Sequence, residues 1–178
     1  MVQGIIRLLF FSLLSCSVFA GDNLITLQTK GSGSTIIIKQ AGNSNITGVY
    51  CGLGSFDNSL VGTHTCDNAT ITANVIGNSN IVYSQSVWSN HTGQSWITTV
   101  DGNDNYAVID MDEDDNTSRI TQTGDDNQAW ILGSGDDNVY KIEQLGDDYY
   151  AKIYAFGDDS DVWITQEGTG NHNSYVLN

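Results

Sequence analysis

The 178-residue sequence contains no proline, where average usage would supply about nine. That absence excludes a proline-rich linker, a collagen-like chain and a mucin-like stalk. It suits a fold that commits almost every backbone N–H to a hydrogen bond, because proline has none to give. Bases are scarce as well: six Lys and Arg stand against 21 Asp and Glu, a net charge of −15. Nucleic acid and anionic membrane surfaces carry the same sign and are not expected as partners. Residues 1–100 hold only three acids (Asp22, Asp57, Asp67) and three bases (Arg7, Lys30, Lys39), so the whole excess lies in residues 101–178. The three histidines (His64, His91, His172) fall at irregular or terminal places, with no Ser or Cys nucleophile to pair with. The carboxylates repeat regularly instead of forming one pair in two contrasting environments, as acid–base catalysis requires. No enzymatic activity is expected.

Long apolar runs are confined to the first twenty residues. Arg7 precedes a stretch of Leu, Phe, Ser and Cys that closes at Val18-Phe19-Ala20. This reads as a secretory signal peptide over 1–20, too short for a comfortable membrane span. Leu13-Leu14-Ser15-Cys16 offers a competing reading, a lipoprotein site at Cys16. The mature chain is then expected to be residues 21–178, exported to an oxidising compartment where Cys51 and Cys66 can pair.

What the remaining sequence has in abundance is a period of eleven. Gly102, Gly124, Gly135, Gly146, Gly157 and Gly168 share one grid, with Glu113 at the missing node and Gly31 and Gly42 upstream at the same interval. Three residues beyond most nodes stands Asn or Ser: Ser34, Asn45, Asn80, Asn105, Asn116, Asn127, Asn138, Ser160 and Asn171. Four residues further comes Ile, at Ile38, Ile109, Ile120, Ile131, Ile142, Ile153 and Ile164, then Gln two later at Gln40, Gln122, Gln144 and Gln166. The unit is N-x-A-x-I-x-Q-x-G-x-x.

Spacing by two within the unit predicts a strand with one strict, buried face and one variable face. The glycine and its two polar followers predict a turn. Such units cannot bury a core alone and must stack. The glutamine recurs chiefly every second unit, so one rung holds two strands. The expected architecture is an all-β, two-sheet solenoid in one domain over 21–178, with 13 half-rungs beginning at Asn23-x-Ile25-x-Leu27. The isoleucines form its core, and the Gln and Asn columns form amide ladders along the axis. Gly42 to Gly77 is too long for the grid, and Cys51 and Cys66 bracket the excess. A disulfide closing a loop of about 52–65 would restore the stacking, the other reading being two free thiols. A smaller slip lies near Ser86–Gly93.

The pattern S/N-x5-Q-x-G-x2-N-x-A resembles the curlin repeat of bacterial curli subunits. It is clearest at Asn116-x5-Gln122-x-Gly124-x2-Asn127-x-Ala129, with further copies at Asn138, Ser160 and Ser34. The resemblance implies a secreted subunit or nucleator of an extracellular amyloid fibre serving biofilm and adhesion. It also implies partnership with its own kind and an outer-membrane secretion pore. The sequence departs from the pattern in half-rungs lacking Gln or Asn, in the Cys-bracketed insertion and in the missing Gly-rich leader.

Physical reasoning also leads to assembly. A solenoid without caps presents unpaired strand edges at both ends, and matching ends stack without closing. Paired acids follow the turn glycines at Asp125-Asp126, Asp136-Asp137, Asp147-Asp148 and Asp158-Asp159. Stacking places 125 and 147 on one edge and 114, 136 and 158 on the other. These carboxylates either restrain assembly by repulsion or hold a divalent cation such as Ca²⁺; no other cofactor is expected. Tyr106, Trp130, Tyr150 and Tyr154 fall on the outward face of the sheet lacking glutamines. They offer an adhesive or bundling stripe, or ordinary cross-strand support. A monomeric, cation-dependent adhesin is the alternative to a fibre subunit.

Overall fold

The computed structural model describes residues 3–9, 13–19, 21–51, 65–86, 90–168 and 172–177. Every regular element among them is a strand. In order they are β1 (Gln3–Leu9), β2 (Leu13–Phe19), β3 (Leu24–Lys30), β4 (Thr35–Ala41), β5 (Ile46–Cys51), β6 (Cys66–Asp67), β7 (Thr70–Ile76), β8 (Ile81–Ser86) and β9 (His91–Thr92). There follow β10 (Ser95–Asp101), β11 (Tyr106–Met111), β12 (Thr117–Thr123), β13 (Gln128–Ser134), β14 (Val139–Leu145), β15 (Tyr150–Phe156), β16 (Asp161–Glu167) and β17 (Asn173–Leu177).

Successive long strands alternate between two sheets. One has the order β1-β3-β5-β8-β11-β13-β15-β17, the other β16-β14-β12-β10-β7-β4-β2, and β6 pairs only with β9. All pairings are parallel, as stacking of one repeated unit requires. The two-sheet solenoid expected from the eleven-residue period is therefore the fold. From β3 onward there are 13 long strands, the number of half-rungs that the grid predicts. Beyond that expectation, β1 and β2 continue the same sheets, pairing in register with β3 and β4.

Regular rungs are offset by 22 residues, as between Asn105 and Asn127. The offset is 35 between Asn45 and Asn80 and 25 between Asn80 and Asn105. Both excesses leave the sheets between paired strands: the first after Cys51, the second after Ser86. Cys51 and Cys66 are joined by a disulfide with Cα atoms 5.5 Å apart. Most of the expected 52–65 loop (residues 52–64, His64 included), Ala20 and Asn171 lie outside the described residues.

The core is the thin layer between the sheets. Ile38, Ile109, Ile120, Ile131, Ile142, Ile153 and Ile164 are all buried there. Volume is balanced along a column: Ser118 lies in register between Trp96 and Tyr140, all three fully buried. A small residue between two large ones lets neighbouring rungs keep native packing density. At the turns, glycines allow the rungs to close up. Gly124 has φ 117°, and a Cβ there would overlap the carbonyl oxygen of Gly146 in the next rung.

Candidate functional site: amide ladders and open edges

The asparagines at one corner form a continuous ladder. Asn45, Asn80, Asn105, Asn127 and Tyr149 each donate the backbone N–H to the side-chain Oδ1 of the asparagine one rung earlier, at 2.9–3.0 Å, starting from Asn23. Each Nδ2 reaches forward to the carbonyl of the next rung's turn glycine: Asn45 to Gly77, Asn105 to Gly124, Asn127 to Gly146. A buried asparagine thus satisfies both of its ends while tying two rungs together. Tyr149 ends the ladder and stacks on His172. At the opposite corner Asn116 Oδ1 accepts from Asn138 N, and Asn138 Oδ1 from Ser160 N.

The glutamines form a second ladder inside the core. Gln122 Nε2 donates to Gln144 Oε1, and Gln144 Nε2 to Gln166 Oε1, each at 2.9 Å. Each also ties the two sheets together, donating to Tyr106, Gln128 or Tyr150 O. Gln40 stands apart, because its column continues through Val75 and Val100 before reaching Gln122.

The paired turn acids have two different tasks. The first of each pair accepts a backbone N–H from the rung before: Asp114 N to Asp136 Oδ1 and Asp136 N to Asp158 Oδ1 on one edge, Asn103 N to Asp125 Oδ1 and Asp125 N to Asp147 Oδ1 on the other. Asp67 does the same for Ser32, whose backbone N–H and hydroxyl hold that carboxyl below the usual range. The second residue of each pair is left-handed: Asp126, Asp137, Asp148 and Asp159 have φ between 56 and 62°. Asn and Asp tolerate that conformation better than other residues with a Cβ. Among the described residues no group of three or more His, Cys, Asp or Glu is placed to hold a metal ion.

On the outer face of the other sheet, Tyr106, Trp130 and Tyr150 belong to a longer ladder. The rings run Tyr83, Tyr106, Trp130, Tyr150, Tyr175, with centroids 4.8–6.5 Å apart. The rings cover one another, which fits cross-strand support. Tyr154 lies outside this run, against Phe156 and under Lys152. Tyr83 and Tyr175 were not readable from the grid because the ladder zigzags between two columns.

One expectation about chemistry is corrected. His91 does pair with a serine: Ser86 Oγ lies 2.5 Å from its Nε2 and donates to Asp112 Oδ1 at 3.0 Å. The three residue types are those of a nucleophile triad, but serine and not histidine is the middle member, and the hydrogen bonds run the wrong way for one. His91 Nδ1 accepts the backbone N–H of Glu113, so the neutral ring carries its proton on Nε2 and donates it to Ser86. A base for serine needs that nitrogen free. Ser86 and His91 are also buried. Their place explains the arrangement: Ser86 is in register with Cys51 and His91 with Cys66. The second insertion is pinned at its neck by a hydrogen bond, directly beside the disulfide that pins the first.

Near this neck Asp110 is half-buried with Gln85 Nε2 on one oxygen and no partner for the other. Burial, assisted by nearby Asp112, raises its carboxyl to about 6. It borders a cavity of about 330 Å³ on the outer face, with Leu132, Tyr154 and Phe156.

Among the described residues, the outermost strands at the C-terminal side, β16 and β17, have one paired edge each. Trp163, Tyr175 and Leu177 are exposed there, and Val162 and Val176 are only partly covered. Fold and ladders together define a structural repeat protein, a parallel β-solenoid stitched by side-chain amides. More particularly, residues 114–146 match the family model of the curlin associated repeat. No curated protein and no solved structure matches it.

Proposed function

We propose that the chain is a secreted subunit, or nucleator, of an extracellular curli-like fibre used in matrix formation and adhesion. Copies stack along the solenoid axis, in company with related curlin subunits. The observation that supports this reading best is the axial direction of every ladder together with the single-sided pairing of β16 and β17. An edge of unsatisfied N–H and C=O groups is a template for another strand, and its satisfaction by a copy continues the same lattice. Residues 1–20 act as the secretion signal, and the curlin repeat brings with it the expectation of an outer-membrane pore. The role is structural, not catalytic. The turn carboxylates keep the monomer soluble until export; a Ca²⁺-dependent monomeric adhesin is the competing outcome.

The test is incubation of purified 21–178, followed by fibre diffraction and dye binding. Fibres with a meridional spacing of about 4.7 Å are expected, with the same kinetics in Ca²⁺ and in EDTA at equal ionic strength. A stable monomer after prolonged incubation would remove the fibre reading. A monomer that gains thermal stability specifically from Ca²⁺ would put the adhesin in its place.

A further inference from the structure

Gln40 carries a buried side-chain oxygen, Oε1, that has no hydrogen-bond partner. Its amide is oriented like those of the glutamine ladder. Gln40 Nε2 donates to Leu24 O, sixteen residues upstream, as Gln122 does to Tyr106 O, Gln144 to Gln128 O and Gln166 to Tyr150 O. In the ladder, the Oε1 of Gln144 and of Gln166 receives the Nε2 of the preceding rung, whereas Gln122 Oε1, which follows Val100, is unpaired like that of Gln40. For Gln40 the preceding rung is β2, and the register puts Val18 opposite. Valine has no donor to offer. A buried acceptor left unpaired opposes folding, so this edge of β4 is satisfied along its backbone by β2 but not at the Gln40 side chain.

The other end of the molecule has the complementary group. Gln166 belongs to Gln40's column, traced through Gln144, Gln122, Val100 and Val75. Inside the ladder the second N–H of each Nε2 passes to the next glutamine. At Gln166 it turns aside to His172 O and Ser174 Oγ. The neighbouring columns match too. Ile164 shares the column of Ile38 and Val162 that of Ile36, while in the other sheet Val176 shares the column of Leu27. Setting β16 on β4 and β17 on β3 buries apolar against apolar and places no charge in the core.

We propose that β1 and β2 form a built-in cap on the N-terminal end of the solenoid, occupying the very edges of β3 and β4 that β17 and β16, respectively, of a second copy take once these strands are removed, with Gln40 then accepting from that copy's Gln166. This rests on the fibre reading and adds to it a condition and a register. In the uncut chain, β1 pairs with β3 across seven residues and β2 with β4 across seven, so neither strand can accept a second copy. Removal after residue 20 exposes both edges at once and frees the Gln40 oxygen for a donor that fits. Such a chain assembles only after processing, and it grows with a defined polarity.

The experiment compares the uncut chain, kept intact by expression without export, with 21–178, by dye binding and electron microscopy. The uncut chain should fail to elongate, while 21–178 forms fibres. Ile6→Pro together with Cys16→Pro in the uncut chain removes ladder donors from β1 and β2 without shortening the segment, and should restore growth. Uncut chain added in small proportion to seeded 21–178 should slow elongation. Its free β16–β17 end can join a fibre, and its covered end then stops further addition. Gln40→Leu in 21–178 should slow seeded elongation even under conditions where the variant monomer is fully folded; its unfolding midpoint should also fall, because Gln40 Nε2 donates to Leu24 O and Thr47 Oγ1 in the monomer. Equal growth of the uncut chain, no rescue by the prolines, or no effect in seeded mixtures would each overturn the cap. If 21–178 itself does not polymerise, the fibre reading fails and takes the cap with it.

Discussion

Asp136 and Asp137 are adjacent, identical in type and equally exposed, yet the fold uses them differently. Asp136 Oδ1 accepts the backbone N–H of Asp114, whereas Asp137 is there for its backbone, at φ 59°. Asp136→Asn keeps an acceptor and should leave the unfolding midpoint nearly unchanged. Asp136→Ala should cost about 1 kcal/mol. At the neighbour the order changes: Asp137→Gly should be tolerated and Asp137→Val should cost about 1–2 kcal/mol, the penalty of a left-handed β-branched residue. Denaturant unfolding of the four variants measures all of this, and equal effects at the two sites would contradict the division of roles. Asp110 gives a pH signature. Burial holds its carboxyl at about 6, above an ordinary value near 4. Folding therefore favours the protonated form. That contribution is complete below the unfolded pKa and is lost as pH rises through about 6. Asp110→Asn should remove a loss on the order of 2 kcal/mol between pH 4 and 7, read as a flatter midpoint-versus-pH curve than that of the parent. The repeat pattern marks the turn acids clearly. It is silent on Asp110 and on Ser86, His91 and Asp112, because these owe their environment to the two insertions that interrupt the period.

At the level of strands, the glutamine ladder is the most demanding feature. Gln144 is fully buried, receives from Gln122 and gives to Gln166 and to Gln128 O. Gln144→Leu keeps the volume but strands a donor of Gln122 and the acceptor of Gln166. The expected loss is about 2–4 kcal/mol, from two unpaired buried groups at 1–3 kcal/mol each, less the gain from a better-transferred side chain. Replacing Gln122, Gln144 and Gln166 all by Leu should cost less than three times that, since no half-satisfied partner remains. A triple variant that loses more than the sum of singles would show that the ladder is not the unit. Strand positions were readable because one strict face recurs every eleven residues, and burial enforces it on every rung. The aromatic ladder was only half readable. Its members alternate between two outward columns, where the sequence is free to vary, so Tyr83 and Tyr175 join it through ring geometry and not through spacing.

For the whole molecule, the uneven charge is set against a uniform fold. Rungs from the neutral half and the acidic half have the same turns: Ser44 and Ser79 are left-handed at φ 57°, just as Asp126 and Asp159 are at 58 and 56°. Geometry does not require the acids at the second turn position, so their concentration after residue 100 must act through their field. In a stack, carboxylates on successive rungs lie about 4.8 Å apart, well inside the Debye length of about 8 Å at physiological ionic strength. Repulsion then opposes bringing acidic rungs together and spares the neutral ones. Assembly should begin at the neutral half. Ser44→Asp with Ser79→Asp puts charge into those turns at positions whose backbone already suits aspartate and whose side chains are exposed. Gly33 is a poorer choice, because a Cβ there would run into the Asn68 side chain. The double variant should lengthen the lag of 21–178 more than Asp159→Ser shortens it, and the gap should close in high salt. Matched lag times for parent and double variant at low ionic strength would mean that the charge asymmetry has no part in nucleation. A gap that persisted in high salt would assign the effect to the lost serines instead of to the field.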